Sequence, residues 1–549
     1  MTNDIGFEYY QTPKGLVRRY FQTLGQLSGL FYGYSYSYVQ ERKAAGTARA
    51  LKVLLLRFYL FIGWPFVDRN LVQQPFNEQF RVRLERMGPT YIKLGQILSL
   101  REDLLPKALT DELKNLLTEL PAVSFDRYVL IIEEDLDRPV EEMFASIDPE
   151  PLGSASLAQT HRAWLKTGED VALKVLKPGV RETVEMDTKL LRFYGWWLQL
   201  FLSRFQPAQL INEFSRYTLL EVDLRNEATN AEVFSANFSE EPDIRFPEIY
   251  REFSNRDVLC MEFFEGRMPN AETAVQLNDQ ESRKVVDLGV QAIIEMIFRD
   301  AFFHADLHPG NLIIFEDASV GFIDMGMVGR FDRATQRLML YYMYSLAQEN
   351  PADAARYLTA MAQAGRGSDV AGFRRAVEDL STRWLRTPTF HEFSLGQLIL
   401  ESVLLAGKYR IVYPGEIILM VKALITVEGV GNQLVPDVNV TDVSRKHVRQ
   451  IIFHRLNIVQ IAKDSLLVLP ELIEVMQRSP LVINQGLEFL ESRFKTKESG
   501  PLTDALGTIF GVGLVIAAAI MALGDVSPII WGGLIVLAFM SAGVDLIRK

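Results

Sequence analysis

The chain of 549 residues contains a single cysteine, Cys260. No disulfide can form within it, which excludes a disulfide-held scaffold and fits a reducing compartment. Cys260 lies in the strand-like run Asp257-Val-Leu-Cys-Met-Glu262 and reads as a small buried hydrophobe. No apolar stretch follows Lys14, Arg18 and Arg19, so no secretory signal is expected. There is no long basic tract, and the formal net charge is −11, which argues against nucleic acid as a partner. Low hydrophobicity is also missing: 48% of residues are hydrophobic and 23% charged, which excludes extensive disorder. The length points to two or three packed units.

Long charge-free runs are present, and they sit at the C-terminus. Ala505–Gly524 and Val526–Val544 contain no charged residue, and each is long enough to cross a hydrocarbon core as a helix. Gly524-Asp525-Val526-Ser527-Pro528 centres the turn between them, and Gly507, Gly511, Gly513, Gly532 and Gly533 permit close helix approach. Arg493, Lys495 and Lys497 before the first run, with Arg548 and Lys549 after the second, place both ends and the body on the cytoplasmic side. Leu51–Val67 is apolar but carries Lys52 and Arg57, and reads as an interfacial or buried helix.

The body divides by pattern. Residues 1–75 form an aromatic-rich, helical or interfacial segment. Residues 76–125 form a helical extension, with Gln79–Leu100 broken at Gly88-Pro89 and a further helix at Asp111–Leu120. In 126–270, the runs Val171–Leu176 and Asp257–Phe264 read as strands, and Glu185–Phe205 and Gln209–Phe234 as helices. Residues 271–480 are mostly helical, apart from the strand-like runs Asn311–Phe315 and Val320–Asp324; 481–504 form a linker and 505–549 the membrane hairpin. The aromatic stripe Phe193-Tyr194-Gly195-Trp196-Trp197 reads as core, with lipid contact as the alternative.

The strongest local signal is Phe303-His304-Ala305-Asp306-Leu307-His308-Pro309-Gly310-Asn311, followed by Asp324-Met325-Gly326. Phosphoryl transfer needs a carboxylate near the nucleophile and oxygen ligands for Mg²⁺. Asp-x₄-Asn before one strand and Asp-x-Gly after the next supply that set, in the arrangement of kinase catalytic and metal loops. His304, Asp306 and His308 also allow a transition-metal reading, against which His304 reads as a brace for the loop backbone. Lys174, in Val-Ala-Leu-Lys, shares a strand face with Ala172 and is the expected phosphate-holding ammonium, with Glu221 as its expected carboxylate. Upstream, Pro151-Leu-Gly-Ser-Ala-Ser-Leu-Ala-Gln159 is rich in small residues, so its backbone can approach phosphate. It lacks the Gly-x-Gly-x-x-Gly of ordinary protein kinases.

Together these residues resemble the UbiB family of atypical protein-kinase-like proteins over about residues 80–480. Lys93-Leu94-Gly95-Gln96 resembles that family's Lys-x-Gly-Gln signature, and Gly153-Ser154-Ala155-Ser156 its Ala-rich loop. Glu221-Val222-Asp223 resembles its Glu-x-Asp motif, continued by Glu227 and Asn230, and Glu416–Gln433 also resembles bacterial members. Two departures are Gly153 and Ser154 in a loop otherwise rich in alanine, and Met325 where typical kinases have Phe; they leave nucleotide preference open. The resemblance implies an α+β, two-lobed kinase-like fold with a helical N-terminal extension and a C-terminal two-helix membrane hairpin. It implies ATP and Mg²⁺ as cofactors, with Gly153, Ser154, Ala155, Ser156, Lys174, Glu262, Asn311 and Asp324 at the nucleotide, Asn311 and Asp324 on the metal, and Asp306, Lys174 and Glu221 as catalytic residues. Lys93, Gln96 and Asp223 are expected to regulate, with the segment around Lys93 lying over the site and Lys93 drawn to the Glu221/Asp223 cluster. The implied function is Mg-ATP-dependent kinase or ATPase chemistry supporting ubiquinone-type biosynthesis at a bacterial inner membrane. Membrane lipid, quinone precursors and a quinone-biosynthesis complex are the implied partners. Phosphotransfer to a lipid or protein, and an ATP-binding membrane scaffold without obligatory chemistry, stand as alternatives.

Overall fold

The computed structural model describes residues 15–44, 56–57, 60–61, 67–99, 105–116, 122–200, 207–365, 367–386, 395–435 and 447. The chain divides into two compact units, Met1–Ile452 and Phe453–Lys549, and every described residue belongs to the first. The two expected membrane spans therefore lie outside the described residues, as does most of Leu51–Val67.

The N-terminal extension is helical: α1 (Leu16–Ala44), α2 (Phe76–Met87), α3 (Pro89–Leu98) and α4 (Lys107–Leu113). Gly88 parts α2 from α3 with φ +94°, a conformation that favours glycine, and Pro89 occupies the first turn of α3, where its missing N–H costs nothing. A Cβ at Gly95 would run into Leu84 and Leu116, so the glycine of Lys-x-Gly-Gln lets α3 pack closely on its neighbours. Arg19 on α1 donates to both carboxylate oxygens of the fully buried Asp187 at 2.6 and 2.7 Å. Asp187 lies on α6 (Val180–Gln199), so this pair ties the extension to the following lobe.

Before α6 come α5 (Phe125–Leu136) and the strands β1 (Phe144–Ser154), β2 (Ala158–Leu165) and β3 (Asp170–Leu176). After it come α7 (Pro207–Glu221), α8 (Leu224–Asn237), β4 (Ile244–Arg245) and β5 (Val258–Glu262). Strands β1, β2, β3 and β5 form an antiparallel sheet in that order. Alternation along β3 and β5 sends Val171, Leu173, Val258 and Cys260 towards α5, and Ala172, Leu176, Leu259 and Met261 towards α6 and α8. Lys174 belongs to this second face by parity. The expected continuous helix over Gln209–Phe234 is corrected: it breaks at Val222–Asp223. Asp223 is extended (φ −133°, ψ 95°) and caps α8 by accepting from the Arg225 N–H.

The second lobe begins with α9 (Asp279–Ile294), followed by β6 (Phe302–His304), β7 (Leu312–Ile314), β8 (Val320–Phe322) and β9 (Val328–Arg330). β6 pairs with β9 and β7 with β8, both antiparallel, while β4 adds in parallel to β8. These ladders bring the β6–β7 and β8–β9 loops side by side. Phe234 stacks on Phe246 and Phe302, and Phe246 on Phe322, with centroids 4.5–5.3 Å apart beneath the loops. Helices α10 (Arg333–Ala347), α11 (Pro351–Ala360), α12 (Val370–Arg386), α13 (Leu395–Lys408) and α14 (Gly415–Leu434) complete the lobe. Among the described residues, α14 alone is long and apolar enough to cross a membrane, and it is more than half buried, with Ile417, Met420, Val421 and Leu424 in the core.

At Gly329 a Cβ would collide with the ring of Phe303, which is fully buried and leads directly into the β6–β7 loop. Gly329→Ala is therefore expected to overpack the β6–β9 pair and lower stability by about 1–3 kcal/mol. Urea unfolding of the two proteins checks it.

Candidate functional site

The sheet, α8 and the β8–β9 loop converge on Lys174. Its ammonium lies 2.8 and 2.9 Å from the two carboxylate oxygens of Glu227 and 3.1 Å from Oδ2 of Asp324. Glu227, not Glu221, is thus the carboxylate that holds Lys174, a correction to the sequence expectation. The break at Asp223 starts a new helix, and Glu227 lies in its first turn, facing β3. Burial alone would lower the Lys174 pKa, but Asp324 and Glu227 hold the ammonium protonated, above its ordinary value. Burial pushes Glu227 up to about 7, against the pull of Lys174. Asp324 is only half-buried, and Lys174 and the Gly326 N–H hold its carboxyl well below the usual range. Asp324 has φ +62°, and its Oδ1 accepts from the Gly326 N–H at 3.2 Å, fixing the Asp-Met-Gly turn.

Glu221 has another partner. Lys93 on α3 approaches its Oε1 at 2.7 Å, and both side chains are largely buried. Burial raises Glu221, while burial of Lys93 is outweighed by Glu221, with Asp306 and Asp324 adding to the same field. Asp223 takes no part in this pair. It caps α8 and faces Arg225 at 2.6 Å and Arg256 at 3.6 Å, which lower its pKa. Gln96 lies half-buried one turn along from Lys93.

The β6–β7 loop supplies the remaining groups. His304 Nδ1 accepts from the Asp306 N–H at 3.1 Å, His308 Nδ1 from the Gly310 N–H at 3.1 Å, and the Asn311 amide donates to the Asp306 carbonyl at 2.9 Å. Both histidines thus brace the loop backbone. Burial lowers the His304 pKa and keeps the ring neutral. The Asp306 carboxylate meets Lys422 of α14 at 2.6 Å, and this ammonium outweighs burial to hold Asp306 below its ordinary value.

The small-residue loop is farther away. Gly153, Ser154, Ala155 and Ser156 end β1 and turn into β2, with Gly153 opposite Thr160 and Thr160 opposite Lys174. Two strand spacings, roughly 10 Å, separate Gly153 from Lys174. Lys177, which sequence reasoning missed, donates to the Ala155 carbonyl at 2.7 Å from under this turn, and burial pushes its pKa down to about 8. Glu262, at the end of β5, lies three rungs from Lys174 along the sheet, and its carboxylate accepts from the Glu248 N–H at 3.2 Å.

This arrangement has relatives. The profile of an ABC1 atypical kinase-like domain matches residues 115–358, and that of a UbiB helical domain matches residues 385–439. Proteins named "Probable protein kinase UbiB" from Azotobacter vinelandii and Cellvibrio japonicus are 31% and 30% identical to this chain. Those matches cover 69% and 81% of it, and 72% and 80% of the relatives. "Uncharacterized protein sll1770" of Synechocystis sp. is 31% identical, over 68% of this chain and 64% of its own. The chain belongs to the UbiB family.

Within that family frame the origin of Lys422 becomes informative. Lys174, Glu227, Asp306 and Asp324 all lie in the stretch matched by the kinase-like domain, whereas Lys422 lies in the stretch matched by the helical domain. Lys93 comes from before both. Sequence reasoning missed the role of Lys422. The available signal was its isolation as the one charged side chain between Glu416 and Glu428 of an otherwise apolar helix.

Two outcomes follow from these burials. Glu227 titrates at about 7 in the folded chain against an ordinary 4.5, so its contribution to stability is present below pH 4.5 and is lost as the pH rises through 7. The stability of the wild type relative to Glu227→Gln is accordingly expected to fall from pH 5 to pH 8, read by denaturant unfolding at each pH. Removing Lys93 strands the Glu221 carboxylate, whose Oε2 has no hydrogen-bond partner among the described residues. Lys93→Met is expected to cost about 3–5 kcal/mol, and Lys93→Met/Glu221→Gln much less. A double-mutant cycle by unfolding measures the coupling.

Proposed function

We propose that this UbiB-family chain is an Mg-ATP-dependent kinase-like ATPase that supports synthesis of a membrane quinone. The observation that carries the reading is the convergence of Lys174, Glu227 and Asp324 beside the braced Asp306–Asn311 loop. Relatives carry the name "Probable protein kinase UbiB", and the resemblance to that family supports the quinone part of the reading.

The donor set suits Mg²⁺. Asn311 commits its amide nitrogen to the Asp306 carbonyl, which leaves the amide oxygen as a donor, and Asp324 adds a carboxylate. Among the described residues no three His, Cys, Asp or Glu side chains form a metal cluster. The chain thus offers two hard oxygen donors, as suits an ion that takes its other ligands from phosphates and water. Bound Mg²⁺ would neutralise phosphate charge.

The chain's own groups then divide the work. Glu227 fixes the ammonium of Lys174, which is the group to hold phosphate oxygens. Asp306, kept ionised by Lys422, accepts a hydrogen bond from the attacking hydroxyl or water. Lys93 and Gln96 present α3 towards the site through the Glu221 pair, which favours water or a small acceptor over a bulky protein substrate. The small-residue turn at Gly153–Ser156 is the backbone that would lie along the nucleotide, with Glu262 at the lobe junction.

Asp324→Asn is expected to reduce Mg-ATP turnover by about 100-fold or more while the unfolding transition stays cooperative. Phosphate release by the purified full-length protein in liposomes, with and without a quinone-precursor mimic, reads it. Undiminished release in this variant overturns the assignment. A wild type that binds ATP without releasing or transferring phosphate would favour the scaffold reading.

A further inference from the structure

The turn between β1 and β2 is held from behind by one residue. Lys177 follows β3 directly and precedes Pro178, which keeps the Lys177 backbone extended and out of a helix. Its N–H donates to the Leu157 carbonyl at 2.9 Å, and its ammonium donates to the Ala155 carbonyl at 2.7 Å. Gly179, with φ +71°, then turns the chain into α6, and the Val180 N–H closes the corner on the Lys177 carbonyl at 3.3 Å. Two carbonyls of the β1–β2 turn are thus fixed to one corner of the fold. A third, that of Ala158, accepts from the Ala155 N–H at 2.9 Å.

Lys177 reaches the turn from a definite side. Alternation along β3 sends Val171, Leu173 and Val175 towards α5, and Ala172, Lys174 and Leu176 to the opposite face. Extended like the strand before it, Lys177 continues the first set, so its side chain passes on the α5 side, away from Lys174, and is almost wholly buried. A trans peptide is planar, with its C=O and N–H on opposite edges. An Ala155 carbonyl drawn towards Lys177 therefore aims the Ser156 N–H at the other side of the sheet, where Lys174, Glu227 and Asp324 meet. Ser156 is buried, yet among the described residues nothing accepts from its N–H. Buried backbone donors are nearly always paired, so this one is set for a ligand. Burying an ammonium costs free energy, and an apolar side chain would fill the same space without that cost. What the ammonium adds is the orientation of one peptide.

We propose that Lys177 is a positioning residue for the nucleotide: by holding the Ala155 carbonyl from the α5 side, it presents the Ser156 N–H to a phosphate oxygen of ATP. The inference rests on the Mg-ATP reading above and deepens it at the Gly153–Ser156 turn. Backbone N–H groups gathered in a turn attract anions, whereas carbonyl oxygens repel them. Without the ammonium, the Ala155–Ser156 peptide is free to rotate, and in the flipped orientation it turns an oxygen towards the phosphates. Attraction becomes repulsion at that point, and affinity for nucleotide falls, while Lys174, Asp306 and Asp324 keep their partners. Lys177 acts through the turn and not on the reacting atoms.

The test uses the full-length protein in liposomes. Lys177→Met keeps an unbranched apolar stem and removes the donor, and Lys177→Arg restores a charged donor. Lys177→Met is expected to raise KM for Mg-ATP, and the dissociation constant of a fluorescent ATP analogue, by about 10-fold, with kcat within about 2-fold of the wild type. Lys177→Arg is expected to stay within about 3-fold of the wild type in all three. Unchanged KM and analogue binding in Lys177→Met overturns the proposal, as does an equal loss in Lys177→Arg or a loss confined to kcat. A wild type that binds no analogue overturns the Mg-ATP reading and this inference with it. Hydrogen exchange on the wild type decides the matter if Lys177→Met does not fold. Mg-ATP is expected to slow exchange in the segment 153–158, and unaltered exchange there with nucleotide bound overturns the proposal.

Discussion

The structure is organised around a set of paired charges, of which Lys93–Glu221 and Lys174–Glu227 are largely buried and Asp306, Asp324 and Lys422 partly so. Lys93, Lys174 and Lys422 face Glu221, Glu227, Asp324 and Asp306. Each ammonium comes from a different part of the chain: the N-terminal extension, the four-stranded sheet and the last described helix. An isolated charge at such depth is costly, and a partnered one is tolerated. Docking of the extension, of the sheet on α8, and of α14 on the second lobe each bring one ammonium to this cluster.

The backbone prepares that convergence. Two short antiparallel ladders place the β6–β7 and β8–β9 loops next to each other, and a stack of phenylalanines under them leaves little freedom to drift. Gly329 admits the ring of Phe303, and Asp324 takes a left-handed conformation that its own bond to the Gly326 N–H supports. Two imidazoles occupy positions that a metal-site reading would assign to ligands, and each instead fixes a turn of the β6–β7 loop.

One face of α6 is buried and the other exposed. On α6, Asp187 is wholly buried and paired, while Trp196, two and a half turns on, is mostly exposed. The reading of Phe193–Trp197 as core holds for Gly195, which packs against Ile211 of α7, and in part for Tyr194, which stacks on Tyr20. Its large aromatic neighbours Phe193, Trp196 and Trp197 point outwards.

Much of this was legible in one dimension. The spacing of Asp306, Asn311 and Asp324, the β-type runs around Lys174 and Cys260, and the break at Gly88-Pro89 are local matters of propensity and turn chemistry, which neighbouring residues settle. The strands β1 and β2 were less legible, because β1 is irregular in register and has an exposed, Pro- and Gly-containing end without clean alternation. Which carboxylate each lysine meets was not legible at all. Glu221 and Glu227 are six residues apart on what reads as one helix, and only the cap at Asp223 turns them towards Lys93 and Lys174 respectively. Lys422 shows the same limit, since a lone lysine on an apolar helix has no partner until that helix is packed. Local sequence determined the elements and their chemical groups; tertiary packing decided the pairing, because Coulomb attraction depends on distance through space and on burial, and neither exists before the layers close.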